Sequence, residues 1–319
     1  MTYLPAAQPL DVTLSESIRK YTRKAKAENT RKAYRYDLEH FAAFCAHQNV
    51  PALPASAATI AAYLASMADE GLKPATMSRR LAAISKAHAA AGLETPTSMR
   101  HAIVAETWQG IRRTLGTAQV QKAACTTDYM KQMLAQVPDT LAGARDRALL
   151  LVGFAAALRR SELVALAVDG VQFVPEGMTI SIRRSKTDQE QHGQKVAVTL
   201  GKTPETCPVR ALKAWLKAAS VESGPLFRAV NRWGQVQQTA LTDQVVASLV
   251  KKYAQAAGLD ADVFSGHSLR AGLATSAALA GAGERQIMRQ TRHKSEAMVR
   301  RYVRDANMFN QNVSGIVGL

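Results

Sequence analysis

Apolar residues recur at intervals of three and four along the first 116 residues, which is the spacing of one face of an α-helix. Residues 30–48 (TRKAYRYDLEHFAAFCAHQ) keep this spacing, and Asn29 or Thr30 can cap the start of the helix. Three further helices are predicted, partly from serine or proline at their starts and glycine after their ends: 56–71, 74–92 and 98–115. We therefore expect a bundle of four or five short helices.

The pattern changes after residue 116. The segment GTAQVQKAACTTD (116–128) lacks helical periodicity and is predicted to be a linker, and a long helix ending near AAALRRSEL follows it. Three short apolar runs then predict strands at 171–174, 178–184 and 195–200, with a turn at PEG between the first two and a polar loop, SKTDQEQHGQ, before the third. The remaining predicted helices cover 206–219, 243–257, 266–281, 283–291 and 295–304.

These elements predict a mainly α-helical protein with a small antiparallel β-sheet. The change of pattern divides it into a helical domain over residues 1–116, a linker over 117–127 and a C-terminal α+β domain over 128–319. A chain of 319 residues is long enough for two such domains, each with its own core.

Positive charge is the strongest compositional signal. The chain carries a formal net charge of +16 at pH 7. Residues 1–124 contain 16 basic against 9 acidic side chains, and residues 125–319 contain 25 against 16. We favour the hypothesis that both halves bind the same polyanionic partner, although a basic protein without such a partner would show the same totals.

Other features of the sequence limit the function classes. We find no apolar run long enough to cross a bilayer and no secretory signal, so we expect a cytoplasmic protein without a membrane partner. The three cysteines, Cys45, Cys125 and Cys207, are too far apart to indicate a disulfide framework or a thiolate metal site. We see no clustered carboxylates for Mg²⁺ and no Walker loop, so we expect neither a metal ion nor another cofactor.

Five short motifs follow one another in the second half of the chain: ALRRSEL (157–163), SKTD (185–188), GHSLRAG (266–272), TRHKS (291–295) and RRYVR (300–304). Each is weak alone. In this order and at these spacings they resemble the signature of the tyrosine recombinase (phage integrase) family, with the layout of its Cre-like members. The resemblance implies a SAM-like core-binding domain at the N-terminus and a catalytic domain at the C-terminus.

The resemblance also implies a catalytic set. Its members are a nucleophile, two phosphate-clamping arginines, two histidines, a mobile lysine and a supporting carboxylate: Tyr302, Arg159, Arg270, His267, His293, Lys186 and Glu162. Two choices stay open, since Arg160 could replace Arg159 and Lys195 could replace Lys186. A further departure from the family pattern is Arg292, which stands where glycine is common.

The implied reaction suits these residue types. Tyr302 would attack the scissile phosphorus, form a 3′-phosphotyrosine bond and release the 5′-hydroxyl. A phenol has an ordinary pKa of about 10, so His267 would accept its proton. The arginine forks would hold the phosphate oxygens, His293 would bond one of them, and Lys186 would protonate the leaving hydroxyl.

Candidate DNA contacts come from the same resemblance. They lie near helix starts, in the linker and in the second half of the chain: Thr30, Lys32, Ser78, Arg79, Arg80, Lys122, Arg232 and Gln244. Arginine and glutamine can read base edges, while lysine mostly positions phosphates. Each could equally be an ordinary solvated side chain.

The last residues suggest an assembly. Phe309, Val313, Ile316 and Val317 form an apolar stripe at helical spacing, which predicts a tail helix over about 306–319. With the resemblance, it implies a tail that docks on a neighbouring protomer in a homotetramer holding two double-stranded DNA sites, with a dimer on the inverted-repeat arms of each site. Packing of the tail against its own domain is the alternative.

The function expected from the resemblance is site-specific DNA recombination through a Holliday junction, in a bacterial or phage context close to the nucleoid. Two rivals stay open. A type IB topoisomerase uses similar chemistry without partner exchange, and a DNA-binding regulator could keep the fold without the reaction. The complete catalytic set argues against the regulator.

Overall fold

The computed structural model describes residue 21, residues 28–118, 121–182, 193–293 and 295–306, and the single residues 314 and 317. The chain divides into two compact units, Met1–Gln119 and Val120–Leu319, and each unit has its own hydrophobic core. The predicted fold class, mainly α-helical with a small antiparallel β-sheet, is confirmed.

The first unit contains α1 (Glu28–His47), α2 (Ala57–Asp69), α3 (Pro74–Ala90) and α4 (Ala102–Leu115). Ser56 caps α2 as predicted, because its Oγ accepts a hydrogen bond from the Thr59 N–H at 3.0 Å. Pro74 begins α3, where the missing N–H costs nothing. The apolar faces meet in a core that includes Phe41, Ile60, Tyr63, Leu64, Met77 and Ile84.

The second unit begins with α5 (Thr127–Ala135), α6 (Leu141–Ala155) and the short α7 (Arg160–Val164). A three-stranded antiparallel sheet follows, with β1 (Val171–Val174), β2 (Gly177–Ile182) and β3 (Gln194–Thr199) in that spatial order. The rest comprises α8 (Pro208–Ala218), the antiparallel pair β4 (Arg228–Val230) and β5 (Val236–Ala240), α9 (Asp243–Ala256), α10 (Ser268–Leu279), α11 (Glu284–Thr291) and α12 (Glu296–Ala306).

Helix α6 lies at the centre of the second core. Its residues from Ala148 to Val152 are all buried, so it is covered on every side instead of showing one polar face. Trp215 on α8 is fully buried beside it, and its indole N–H donates to the Leu226 carbonyl at 2.9 Å. The motif ALRRSEL (157–163) begins two residues after the end of this buried helix.

Two elements differ from the predictions. The long helix expected before SEL is three helices, because the Val137–Pro138 break ends α5 and Ala157 leaves α6 with a positive φ of 47°. The hairpin β4–β5 was not predicted. Its strands are short and β5 is mostly polar, so the two-residue alternation that marks a strand is weak there.

The described residues include all three cysteines and allow a search for metal-binding clusters and membrane-spanning helices. All three cysteines, Cys45, Cys125 and Cys207, are buried and free. Within the described ranges, no three or more histidine, cysteine and carboxylate side chains gather closely enough to hold a metal ion. Among the same residues, no helix combines the length and apolar character needed to cross a membrane.

Candidate active site

The turn after α6 carries the first arginine. Arg159 caps α7, and its backbone N–H donates to Glu162 Oε2 at 3.0 Å. The Arg159 guanidinium also donates, through Nη1, to Glu162 Oε1 at 2.6 Å. The neighbouring Arg160 instead reaches towards Asp243 on α9, at 3.8 Å between charged atoms. Of the two adjacent arginines, therefore, the structure places Arg159 in the cluster with Glu162.

The second arginine lies in the first turn of α10. Arg270 is 1% exposed, and its Nη1 donates to the Ala157 carbonyl at 2.7 Å. Its Nη2 is buried without a hydrogen-bond partner among the described residues. Burial and the positive charges of Arg159 and Arg292 lower the pKa of Arg270 to about 10, so it stays charged at neutral pH. Arg270 is therefore a buried, charged side chain whose Nη2 group can still donate a hydrogen bond.

Tyr302 on α12 faces both histidines. Its hydroxyl lies 3.2 Å from His267 Nε2, at the start of α10. Its ring stacks on that of His293, with centroids 5.9 Å apart. The Thr291 hydroxyl donates to the Ile287 carbonyl at 2.7 Å, so its oxygen accepts from Nδ1–H of His293 at the same distance. These bonds fix the His293 ring against the tyrosine.

Both histidines are neutral at pH 7 in the DNA-free protein. Loss of hydration, followed by the charges of Arg270 and Arg159, lowers the pKa of His267 below its ordinary value. Burial and the same two arginines lower the pKa of His293 to about 4. A neutral imidazole has an unprotonated ring nitrogen, so His267 is in the form that accepts a proton from Tyr302.

Arg292 belongs to the same cluster, although the motifs gave it no role. Its side chain is only 6% exposed, and Nη2 donates to Glu162 Oε2 at 2.8 Å. Its guanidinium also donates to the carbonyls of Ala156 and Ala157, at 2.9 and 3.2 Å. The one signal in the sequence was a non-glycine residue at a position where glycine is common.

Glu162 is a shared anion for these two cations. Burial, the largest single influence, acts to raise its pKa. Hydrogen bonds from the backbone and side chain of Arg159, together with the charges of Arg292 and Arg159, outweigh burial and lower the pKa of Glu162 overall. The carboxylate is therefore ionised and holds both guanidinium groups in place.

Gln290, in the last turn of α11, is a second residue that sequence reasoning missed. Its side-chain amide donates to the Ala155 carbonyl at 2.9 Å and to the Ala197 carbonyl on β3 at 3.1 Å. It thus ties the β2–β3 hairpin to the end of α6. Lys186, the predicted mobile lysine of that hairpin, lies outside the described residues. Lys195, the alternative, is exposed on β3 opposite Ser181.

The candidate DNA contacts of the first unit have different surroundings. Arg80 is 14% exposed and donates to His40 and to the Tyr63 hydroxyl, so its guanidinium is engaged inside the unit. Arg79 is 44% exposed while pairing with Asp37 at 2.6 Å. The remaining candidates there are exposed: Thr30, Lys32 and Ser78. Base reading by any of these five stays a prediction.

The candidates in the second unit are all exposed. Lys122 donates to the Asp262 carbonyl at 2.6 Å, which fixes the segment before α5 against the segment before α10. Arg232 stacks over the ring of Trp233 at 4.2 Å, at the tip of the β4–β5 hairpin. Gln244 lies in the first turn of α9. Their roles as DNA contacts also stay predictions.

Comparison with known proteins finds similarity in both units of the chain. The phage integrase family profile matches residues 124–308, and the phage integrase N-terminal SAM-like domain profile matches residues 19–94. An integrase/recombinase XerD homolog of Selenomonas ruminantium is 43% identical, covering 94% of this chain and 88% of that protein. Recombinase Cre of Escherichia phage P1 is 26% identical over 95% of this chain and 92% of Cre, so Cre is the more distant of the two.

Solved structures show the same fold. The Tn1549 transposon integrase in complex with transposon right end DNA matches with a TM-score of 0.64 at 16% identity, covering 92% of this chain and 96% of that one. A lambda integrase dimer bound to a COC′ core site matches with a TM-score of 0.58 at 16% identity, covering 94% and 95%. The predicted fold class and family are confirmed: the chain belongs to the phage integrase family of tyrosine recombinases.

Proposed function

We propose that this protein is a site-specific DNA recombinase that cuts and rejoins strands through a covalent bond between Tyr302 and DNA. The observation that carries the proposal is the position of the Tyr302 hydroxyl, 3.2 Å from a neutral His267. His267 and Arg270 lie one helical turn apart at the start of α10, so the proton acceptor and a phosphate-binding cation come from one rigid element.

The cleavage step balances without an added reagent. His267 takes the phenolic proton, and the Tyr302 oxygen attacks the scissile phosphorus. A bond from the tyrosine oxygen to phosphorus forms while the bond from phosphorus to the 5′-oxygen breaks, and the leaving oxygen takes a proton from Lys186. The result is a 3′-phosphotyrosine and a free 5′-hydroxyl.

Charge on the phosphate is the main barrier to this step. Arg159 and Arg270 would each hold non-bridging oxygens, and Nη2 of Arg270 is a buried donor that a phosphate oxygen can satisfy. The arriving phosphate would also favour the protonated form of His293, whose Nε2–H would then donate to an oxygen. Glu162 would keep Arg159 aimed at the same point.

Strand exchange would reuse the covalent bond. The phosphotyrosine keeps the free energy of the phosphodiester, so the 5′-hydroxyl of a second duplex can attack it and restore the DNA strand. Two successive exchanges in a synapsed pair of duplexes give recombination through a Holliday junction. We place the reaction in the cytoplasm of a bacterial host, where the DNA is.

DNA binding would involve both units, with residues 1–116 as the core-binding domain and 128–319 as the catalytic domain, joined by 117–127. Basic and polar side chains from each unit would contact the duplex: Thr30, Lys32, Ser78, Arg79, Arg80, Lys122, Arg232 and Gln244. Engagement of Arg80 by His40 and Tyr63 makes it the member most suited to a supporting role. The partner would be a double-stranded site with inverted-repeat arms.

The proposed assembly is a dimer on each site and a homotetramer on two sites. The tail helix expected over about 306–319 lies outside the described residues apart from Ala306, Ser314 and Val317. Deleting residues 306–319 should abolish tetramer formation while a single site is still bound, as gel shift and light scattering would show. Unchanged tetramers would mean that the tail packs elsewhere.

The decisive experiment for the chemistry is a Tyr302→Phe variant tested on a nicked suicide substrate. We expect wild-type protein to form a covalent adduct that survives denaturation, and the variant to bind DNA without forming it. Tyr129→Phe, which changes a tyrosine elsewhere in the second unit, is the matched control and should still form the adduct. An adduct with Tyr302→Phe would contradict the proposal, and loss of DNA binding by the wild type would contradict it at an earlier step.

The topoisomerase alternative is tested separately. Relaxation of a supercoiled plasmid without a cognate site would favour it, whereas product formation between two marked sites would favour recombination.

A further inference from the structure

The backbone at residue 292 is suited to glycine, yet the residue is arginine. Arg292 follows the last turn of α11 in the left-handed conformation, with φ 57° and ψ 39°. Side chains other than glycine rarely adopt this conformation, because Cβ approaches a neighbouring carbonyl oxygen. A residue that carries this strain needs a compensating interaction elsewhere.

The compensation is found in the buried guanidinium. Arg292 donates to the carbonyls of Ala156 and Ala157 and to Glu162 Oε2, at 2.9, 3.2 and 2.8 Å. The Ala157 carbonyl is also the acceptor for Arg270, and Glu162 is also the acceptor for Arg159. One side chain therefore contacts the groups that hold both phosphate-facing arginines.

The charge count of this cluster changes with Arg292. Three arginines and one carboxylate lie together, namely Arg159, Arg270, Arg292 and Glu162, and their formal sum is +2. A pentavalent phosphorus species formed from a phosphodiester carries two negative charges, and the positive sum of these four side chains favours it. With an uncharged residue at position 292 the sum would fall to +1, because Glu162 would cancel the charge of Arg159.

From these contacts we propose that Arg292 is a positioning residue for DNA cleavage, which neutralises Glu162 and fixes the turn from Ala156 to Arg159. It acts through Glu162 and the turn carbonyls and does not itself touch the phosphate. The proposal rests on the proposed function and adds a residue to it. Arg292 also joins the chain segment of His293 to that of Arg159 through its bonds to Ala156, Ala157 and Glu162.

The test measures covalent adduct formation in a single turnover with DNA saturated by protein. Arg292→Gly suits the left-handed backbone, so it removes the guanidinium without adding strain. We expect its rate constant for adduct formation to fall by about ten- to a hundredfold, while the dissociation constant for DNA changes by less than about threefold. Arg292→Lys keeps the charge without the fork and should recover part of the rate.

A double-mutant cycle separates positioning from general stability. If Arg292 acts through Glu162, the effect of Arg292→Gly should shrink at least about threefold in a Glu162→Gln background. Arg289→Ala removes a positive charge from an exposed position of the same helix and should leave the rate constant within about twofold of wild type.

The outcomes are distinct. Wild-type protein that forms no adduct would contradict the proposed function itself. Wild-type adducts with an unchanged rate for Arg292→Gly would overturn only the role of Arg292. Equal effects of Arg292→Gly in the two Glu162 backgrounds, or an equal loss with Arg289→Ala, would also overturn it. A lowered melting temperature of Arg292→Gly would still support positioning if its dissociation constant for DNA is unchanged and Arg292→Lys recovers part of the rate, since a purely structural role would not separate rate from binding.

Discussion

His293 links the charge of the site to the stability of the protein. Its folded-state pKa of about 4 lies below the ordinary value, about 6.5, so the unfolded chain binds a proton first as the pH falls. The stability contributed by the neutral ring is complete above about pH 6.5 and is lost progressively down to about pH 4.

His293→Gln should therefore weaken the acid sensitivity of the DNA-free protein. Between about pH 7.5 and about pH 4.5, we expect the wild type to lose on the order of 1 to 2 kcal/mol more unfolding free energy than the variant, after allowing for partial exposure of the ring. Urea denaturation at each pH measures this difference. An exposed histidine, His47, changed to glutamine is the control, and parallel losses in wild type and His293→Gln would refute the argument.

Gly272, in the GHSLRAG motif, is required by a backbone contact. A Cβ built there would lie 1.9 Å from the Cys125 carbonyl oxygen, in the segment that also donates the Cys125 N–H to Ser268. We expect Gly272→Ala to destabilise the second unit by about 1–3 kcal/mol, since backbone must move. Thermal unfolding measures this.

Gly110 provides the opposite case in the first unit. It lies inside α4 with open space around its Cβ position. Gly110→Ala should stabilise that helix by up to about 1 kcal/mol through helix propensity alone. If Gly272→Ala raised the free energy of unfolding, as we expect for Gly110→Ala, the contact with Cys125 would not be the reason for glycine at 272.

Residues of the site differ in how far the sequence could predict them. The ordered motifs gave the set that the structure brings together, Tyr302 with His267 and Arg159 with Glu162. Arg292 could not be predicted, because its buried contacts cross 130 or more positions of the chain and depend on a left-handed backbone at one residue. Local patterns carry no information on such distant acceptors.

At the scale of elements, α6 and α9 are joined by a buried polar network. Asp146 is 1% exposed and accepts from the Arg145 guanidinium at 2.7 and 2.9 Å and from the Tyr253 hydroxyl at 2.7 Å. Burial and the Asp146 carboxylate raise the pKa of Tyr253, so the phenol stays protonated and donates. The network therefore fixes the helix that leads into the Arg159 turn.

Removing different parts of this network should have different costs. Asp146→Ala leaves the Arg145 guanidinium buried without its anion and should destabilise the protein by about 3–5 kcal/mol. Tyr253→Phe removes one hydrogen bond and should cost about 1–2 kcal/mol. Denaturant titration of both variants measures the two values, and a larger loss with Tyr253→Phe than with Asp146→Ala would contradict this ranking.

Elements were predictable where the pattern was local. The strand predicted at 171–174 and the helix predicted from Asp243 agree with the structure. Strand alternation and the 3.6-residue spacing of apolar residues both appear within a few residues of sequence. The breaks inside the predicted long helix depend on Pro138 and on the positive φ of Ala157. Pro138 lies among exposed residues and is itself a local signal for the first break, whereas apolar content alone does not reveal the second break, which lies among buried residues.

At the scale of the whole molecule, positive charge was counted in the sequence over residues 1–124 and 125–319. The structure divides the chain a few residues earlier, into the compact units Met1–Gln119 and Val120–Leu319. Charge could be assigned to each half from the sequence, because counting needs no fold. The sequence does not show which basic side chains bond to other groups inside a unit, as Arg80 does with His40 and Tyr63. Net charge therefore predicts the class of partner better than it predicts individual contacts.

If both units grip DNA, the salt dependence of binding should divide between them. Each neutralised phosphate contributes about 0.9 to the negative slope of log affinity against log salt concentration, so the slope counts contacts. We expect fragments 1–119 and 120–319 each to bind duplex DNA with a measurable slope, and full-length Tyr302→Phe, which cannot form the adduct, to show a steeper slope than either. Fluorescence anisotropy from about 50 to about 300 mM salt measures all three, with circular dichroism to check that each fragment is folded. A folded fragment whose slope alone equals that of the full-length protein would show that the other unit contributes no phosphate contacts, and the two-sided grip inferred from charge would be wrong.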